Sequence, residues 1–258
     1  MESLRSRRGV ALLGFAVVMT VGCVLLGLWQ LDRYELRGHR NDAVRAALDA
    51  EPVPLDSLVP PDADIESVPS DAEWRPVSVS GRYDSDGALT LRLRPVEGQS
   101  GVHALAPLVL SDGRAVLVDR GFLAGGTGST ASVSVLDPAQ GTVELVGRVR
   151  LSESGRGAGL DADGTPPSIR FVDLADLQAI SDVPLAPVWL ERIEQAPAED
   201  ESLVPIPPPR LSSGTSLIYA VQWFLFGVIA VVGFVVLVRR ESRSAAPEGV
   251  PPTVPPMR

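Results

Sequence analysis

The chain has 258 residues and a net charge of −9, yet its mean hydropathy is +0.17. All 23 basic residues are arginine and there is one cysteine, Cys23; this excludes lysine-based phosphate or Schiff-base chemistry, an internal disulfide framework and a multi-cysteine zinc site. The acidic balance argues against nucleic-acid binding, and the coexistence of high charge with positive hydropathy predicts a polar domain joined to membrane segments.

In chain order, residues 1–9 are a predicted cytoplasmic tail carrying Arg5, Arg7 and Arg8. Val10–Trp29 follows, 20 residues without a charge. At about 1.5 Å rise per residue it matches the roughly 30 Å core of a bilayer and reads as transmembrane helix 1. It is longer than a signal-peptide core and no A-x-A site follows. A lipoprotein signal at Cys23 would place Thr20 where a Leu-like residue belongs and would need a polar tether in place of the apolar run to Trp29.

Residues 30–70 are expected to hold a helical extension to about residue 50, ended by Pro52 and Pro54, and then a Pro/Asp-rich loop. Residues 71–196 then read as a β-rich domain. Trp74–Tyr83 alternates with period two, Asp84–Gly87 is a turn, and Leu89, Leu91 and Leu93 alternate again, so these two runs predict a hairpin. Val102–Leu110 is a third strand, broken by Pro107. Ala115–Phe122 is a fourth, Thr142–Val149 a fifth and Pro187–Ile193 a last one. Val172–Ile180 reads as a short helix, and 124–130 and 152–167 as flexible loops. A Pro-rich tether, 197–216, leads into Leu217–Val238, 22 charge-free residues that read as transmembrane helix 2. Residues 239–258 are a predicted disordered cytoplasmic tail.

The two tails carry seven Arg against three acids, and the middle carries 16 Arg against 29 acids. The positive-inside rule then places both termini in the cytoplasm and residues 32–216 outside a plasma membrane. The expected fold class is a membrane protein in which two transmembrane helices flank a mostly-β (β-rich α+β) extracytoplasmic domain, barrel-like or a small sandwich.

No pattern points to catalysis. Gly126-x-Gly128-x-x-Ala131 lacks the following helix of a dinucleotide turn, and the glycine spacing of Gly121–Gly126 is followed by Thr127 where a P-loop needs lysine. Asp161-x-Asp163-Gly164 lacks the other ligands of a calcium loop. There are two histidines, His39 and His103, and no G-x-S-x-G. His103 sits in a strand and reads as a half-buried structural residue. Trp29, Tyr219 and Trp223 suit an aromatic belt at the outer ends of the spans, and with Gln30 and Gln222 they are the candidate partner or membrane-interface residues; Tyr219 and Trp223 share a face that, with Gln222, could contact the first helix or another membrane protein. Gln222, about one and a half turns inside the second span, is an amide that should find a partner on the first helix or in another membrane protein.

Four segments in this order resemble the Surfeit locus protein 1 family. Leu26-Gly27-Leu28-Trp29-Gln30-Leu31-Asp32-Arg33 is similar to its first-span exit, and Trp74–Tyr83 to its first strand. Pro107-Leu108-Val109-Leu110, Asp112-Gly113-Arg114 and Leu117–Phe122 are similar to its central signature, and Tyr219–Phe224 to its second span. The resemblance implies assembly of haem–copper (aa3-type) cytochrome c oxidase, with haem a delivered to or stabilised in the catalytic subunit and no enzymatic turnover. It implies cytochrome c oxidase subunit I and the haem a synthesis machinery as partners, beside the lipid bilayer, and a transient haem a as the only cofactor. Asp119 and Phe122 stand where the family usually has Asn and Trp. Ser216 stands where many members have a His suited to bind haem iron. On the strength of the resemblance, Arg33 and Arg120 are the candidates to pair with haem propionates as forked donors. The alternative from another class is a two-span membrane sensor or ligand-binding protein working through a partner.

Overall fold

The structure is a computed structural model that describes residues 7–125, 137–163, 166–212 and 214–244, with side chains between residues 10 and 240. The tails, the Gly126–Ala131 motif and Gly164 therefore lie wholly or largely outside the described residues. The chain divides into two compact units, one of residues 1–41 with 211–258 and one of Asp42–Arg210.

The first unit is a pair of helices. α1 runs Arg7–Leu48 without a break and α4 runs Ser216–Ser244. Both are long and apolar enough to cross a membrane. Where they meet, the side chains are small. Cys23 and Gly27 on α1 and Ser216, Ala220 and Gly227 on α4 are all buried. Spaced by four or seven residues, they form the close-packing seam expected of helices that cannot be driven together by a hydrophobic effect in lipid. A Cβ on Gly27 would stand 2.7 Å from the Phe224 ring, and one on Gly227 would lie 3.5 Å from Cys23. Large apolar side chains such as Phe15, Val18, Leu25, Ile218 and Val228 point outward, as a lipid-facing surface requires.

The second unit is a strongly curled eight-stranded sheet with strands β1 (Val53–Pro54), β2 (Pro76–Tyr83), β3 (Leu89–Leu91), β4 (Gly101–Leu110), β5 (Ala115–Ala124), β6 (Thr142–Leu151), β7 (Ser168–Ile169) and β8 (Leu185–Ala196). Their order is β1-β2-β6-β8-β5-β4-β3-β7. Two short helices, α2 (Leu55–Leu58) and α3 (Leu174–Gln178), complete it. Gly81–Tyr83 at the end of β2 also pairs with Leu108–Leu110 of β4. This seam is three pairs long, so the sheet is barrel-like but not a fully closed barrel. Strands β5 and β8 are parallel, and their residues alternate between two cores. Val116, Val118, Val188 and Leu190 face the inner core with Val77, Leu108 and Leu145. Leu117 and Trp189 face an outer core completed by Leu91, Leu105, Ile169, Leu174 and Leu177. Burial on both sides explains why AVLV and APVWL read as continuous apolar runs.

Three expectations are corrected. The run Leu89–Leu93 does not form a hairpin with Trp74–Tyr83. It pairs with β4 and β7, while β2 spends seven residues on β6. The longer non-local ladder wins over the adjacent one, and Leu93 (φ 62) turns out to solvent. Pro107 does not break β4. On that edge β4 pairs β3 through His103–Leu105 and β2 through Leu108–Leu110, so the missing N–H falls between two partners. The 152–167 run is tied down in its described part: Asp161 bridges Ser168, the Glu153 amide donates to Val172, and Ala158 is buried. Within residues 197–210, Leu203 is buried and Val204 pairs with Phe122, so this stretch packs on the domain.

Gly81 sits at the seam, where a Cβ would be driven into the Val109 carbonyl. Gly81→Ala is expected to open the β2–β4 seam and cost about 1–3 kcal/mol, read as a lower denaturation midpoint.

Candidate functional site

Three arrangements of polar side chains stand out. The first plugs one end of the inner core. On β5, Arg120 follows Val116 and Val118 with strand parity, so the same face that buries two valines buries a guanidinium, at 0% exposure. Its fork is closed by Glu199, which follows β8: Nε donates to Oε2 at 2.8 Å and Nη2 to Oε1 at 2.7 Å. Nη2 also donates to the Asp137 carbonyl at 3.1 Å, and the Tyr83 ring lies 5.7 Å away. Arg192, at the matching parity on β8, donates to the carbonyls of Arg120 and Leu203. Tyr83 donates to Gln195 at 3.0 Å. Burial, reinforced by the Glu199 charge, pushes the Tyr83 phenol well above its ordinary range, and burial pulls Arg192 down.

The second arrangement lies on the opposite face of β5. Asp119 accepts from His103 Nδ1 at 2.7 Å and from the Gly121 amide at 3.1 Å, while His103 Nε2 faces the Arg94 carbonyl at 3.0 Å. Both ring nitrogens thus meet acceptors, and the ring is satisfied only as the imidazolium. His103 is fully buried rather than half-buried. Burial opposes its charge, but the hydrogen bond and charge of Asp119 outweigh burial and raise its pKa above 6.5.

Beside this pair lies a cavity of about 440 Å³, lined by Trp74, His103, Asp119, Arg150, Glu191 and the strap Ile206–Arg210 among others. Arg150 lies 3.9 Å over the Trp74 ring and 5.2 Å from that of Trp189, and it bonds Glu191. Trp74 is held at φ 73, a left-handed conformation that costs a non-glycine residue roughly 1–3 kcal/mol. Its amide bond to Val149 and the Arg150 stack hold it there. The strap is anchored by its Ile206 carbonyl, which accepts from Arg148.

The third arrangement belongs to the helix pair. Arg37 Nη1 donates to Ser216 Oγ at 2.9 Å, and Ser216 is buried. Gly214 (φ 67) leaves the space that this guanidinium fills. Arg33 reaches back one turn to lie 5.5 Å over Trp29. Trp223 packs edge-on to Phe226 at 5.8 Å. Gln30 is partly buried, and Tyr219 and Trp29 are outward. Gln222 is exposed and makes no hydrogen bond among the described residues. The contacts of Gly27 with Phe224 and of Gly227 with Cys23 set an antiparallel register in which Gln222 stands about level with Trp29. Its amide points away from the seam between the helices.

Of the two arginines singled out for carboxylates, Arg120 is committed to Glu199, and Arg33 keeps its guanidinium exposed on the stacked ring. Sequence reasoning missed Arg192, Glu199 and Arg150. The parity of Val188, Leu190 and Arg192 could have flagged the first, whereas Glu199 follows β8 and carries no local signal. Among the described residues no cluster of three or more His, Cys, Asp or Glu could hold a metal ion.

Residues 17–228 match the model of the SURF1 family. The chain belongs to the SURF1 family. It is 35% identical to SURF1-like proteins of Mycobacterium bovis and of two strains of Mycobacterium tuberculosis, over 96% of this chain and 90% of each relative. The matched range takes in both helices and the sheet, so Trp29, Arg33, Trp74, Asp119, Arg120 and Trp223 all stand inside SURF1-family sequence.

Arg120→Ala would strand the Glu199 carboxylate inside the protein, and is expected to destabilise the unit by about 3–5 kcal/mol in denaturant titrations. The His103–Asp119 pair contributes fully below pH 6.5, the ordinary His value, because the folded ring holds its proton more tightly than the unfolded one. Stability should fall as pH rises through the folded pKa, and His103→Gln should flatten that alkaline slope in pH-dependent melting.

Proposed function

We propose that this chain is an assembly factor for aa3-type cytochrome c oxidase, helping haem a reach or stay in the catalytic subunit. The observation that carries the reading is the family match across residues 17–228. The SURF1 family is one of cytochrome oxidase assembly factors, not generally enzymatic. Two membrane-crossing helices suit work beside an integral membrane enzyme. On this reading the protein sits in the plasma membrane with both termini in the cytoplasm and residues 32–216 outside, in line with the arginine-rich tails. Its partners are oxidase subunit I and the haem a synthesis machinery.

Haem a is here a cargo, and the residues fit it in one respect only. A haem at the membrane edge presents an apolar ring and carboxylates, and Arg33, exposed beside Trp29, can donate to a carboxylate. Iron ligation is not supplied at the expected places. Ser216 is bonded to Arg37, and both nitrogens of His103 are engaged. Arg120 is already closed by Glu199. Holding the cargo by a propionate and not by its iron would allow transfer without breaking a metal–ligand bond.

Deleting the protein should remove the a-type oxidase band from reduced-minus-oxidised membrane spectra; an intact band would overturn the assembly role and leave the ligand-binding reading. Arg33→Ala should lower co-purified haem a at least several-fold with insertion unchanged, while His103→Gln should leave the haem spectrum as it is.

A further inference from the structure

Beyond Trp29, the charged residues of α1 divide by face. Arg33, Arg37 and Arg40 recur at i, i+4 and i+7 and share one stripe with Trp29. Glu35, His39 and Asp42 lie on the far side of the same helix, Asp32 lies beside the stripe, and Arg45, off the stripe, pairs with Asp42. The division leaves the arginines without their own acids. Among the described residues Arg33 and Arg40 have no carboxylate partner, and Arg37 has only the Ser216 hydroxyl. Eight of the 13 arginines from Arg45 to Arg210 meet an acid, among them Arg94, Arg114, Arg120, Arg148, Arg150 and Arg210, so a run of three without one is uncommon here.

The stripe begins where the charge-free span ends. Side chains on a helix lean toward its N-terminus, which for α1 is back toward the membrane. Arg33 does this visibly, its guanidinium lying over the ring of Trp29, a belt residue. At about 1.5 Å per residue, Arg33 and Arg37 stand roughly 6 and 12 Å beyond Trp29. Reaching back, Arg33 enters the headgroup layer, which is about 5–8 Å thick on each side, while Arg37 bonds Ser216 just beyond it. Arg40 lies just beyond, within about one Debye length of it.

We infer that the Arg33–Arg37–Arg40 face of α1 is a binding site for the phosphate of an anionic membrane lipid. Two open guanidinia, Arg33 and Arg40, with the charge of Arg37 between them and no internal counter-ion, match that chemistry. The site needs no haem and no oxidase, so it stands or falls apart from the assembly role.

The test uses the full chain purified in detergent and titrated with phosphatidylglycerol or phosphatidylcholine, with bound lipid counted by native mass spectrometry. Wild type should retain phosphatidylglycerol in preference to phosphatidylcholine. At about fivefold per arginine, Arg33→Gln with Arg40→Gln should weaken that retention at least tenfold. Neither residue has a hydrogen bond or ion pair among the described residues, so this variant keeps the helix pair intact. Asp32→Asn with Glu35→Gln, off the stripe, should not weaken it. Equal retention of the two lipids by wild type, or undiminished phosphatidylglycerol on the arginine variant, would overturn the site. Displacement of the lipid by millimolar inorganic phosphate would reassign it to a free anion and overturn the lipid reading.

Discussion

The ion pair between Arg120 and Glu199 is the contact on which the β unit's arrangement turns. A guanidinium at strand parity with two core valines must be neutralised inside the protein, because taking it out of water unpaired costs several kcal/mol. No carboxylate in β5 or its sheet neighbours closes its fork. The chain answers after β8, where Glu199 returns to it. That return holds the following residues against the domain: Leu203 is buried, Val204 pairs with Phe122 and Ile206 binds Arg148. The strap in turn walls the cavity beside Trp74 and the His103–Asp119 pair.

The absence of lysine acquires a structural meaning in this frame. Inside the β unit, arginine acts as a planar, multi-donor connector that bonds carbonyls and carboxylates at once, as Arg120, Arg150 and Arg192 do. A point-charge ammonium could not span two partners with fixed geometry. On α1, Arg33 and Arg40 meet no acid among the described residues, and on the proposed reading they turn to the membrane edge for a different kind of partner. One residue type thus serves both as internal connector and as membrane-facing donor, and the location of the nearest carboxylate decides which.

The helix pair follows another constraint. In lipid, apolar side chains gain nothing by leaving their surroundings, so the helices meet where backbones can approach. Cys23, Gly27, Ala220 and Gly227 supply that approach, and the Arg37–Ser216 bond ties the pair at the end where water is available. Ser216 in this chain is a hydroxyl devoted to helix pairing.

The sequence by itself determined the two spans, the β-rich character of the middle, the family and the order of nearly all the strands. Each follows from a local period or a run length: charge-free stretches of bilayer length, and alternation of apolar residues every second position. Tertiary structure alone decided which strands pair, how residues 152–163 and 197–210 are held, which residue of α1 stands level with Gln222, and which arginine is open. Leu89–Leu93 looks like the partner of Trp74–Tyr83 because it is next in sequence, yet a seven-residue ladder with β6 outweighs proximity. Arg33 and Arg120 look alike as motif residues. One is closed by an acid 79 positions away and the other stacks on a tryptophan four positions away. Charge pairing over such separations depends on the path of the folded chain, and no local pattern encodes it.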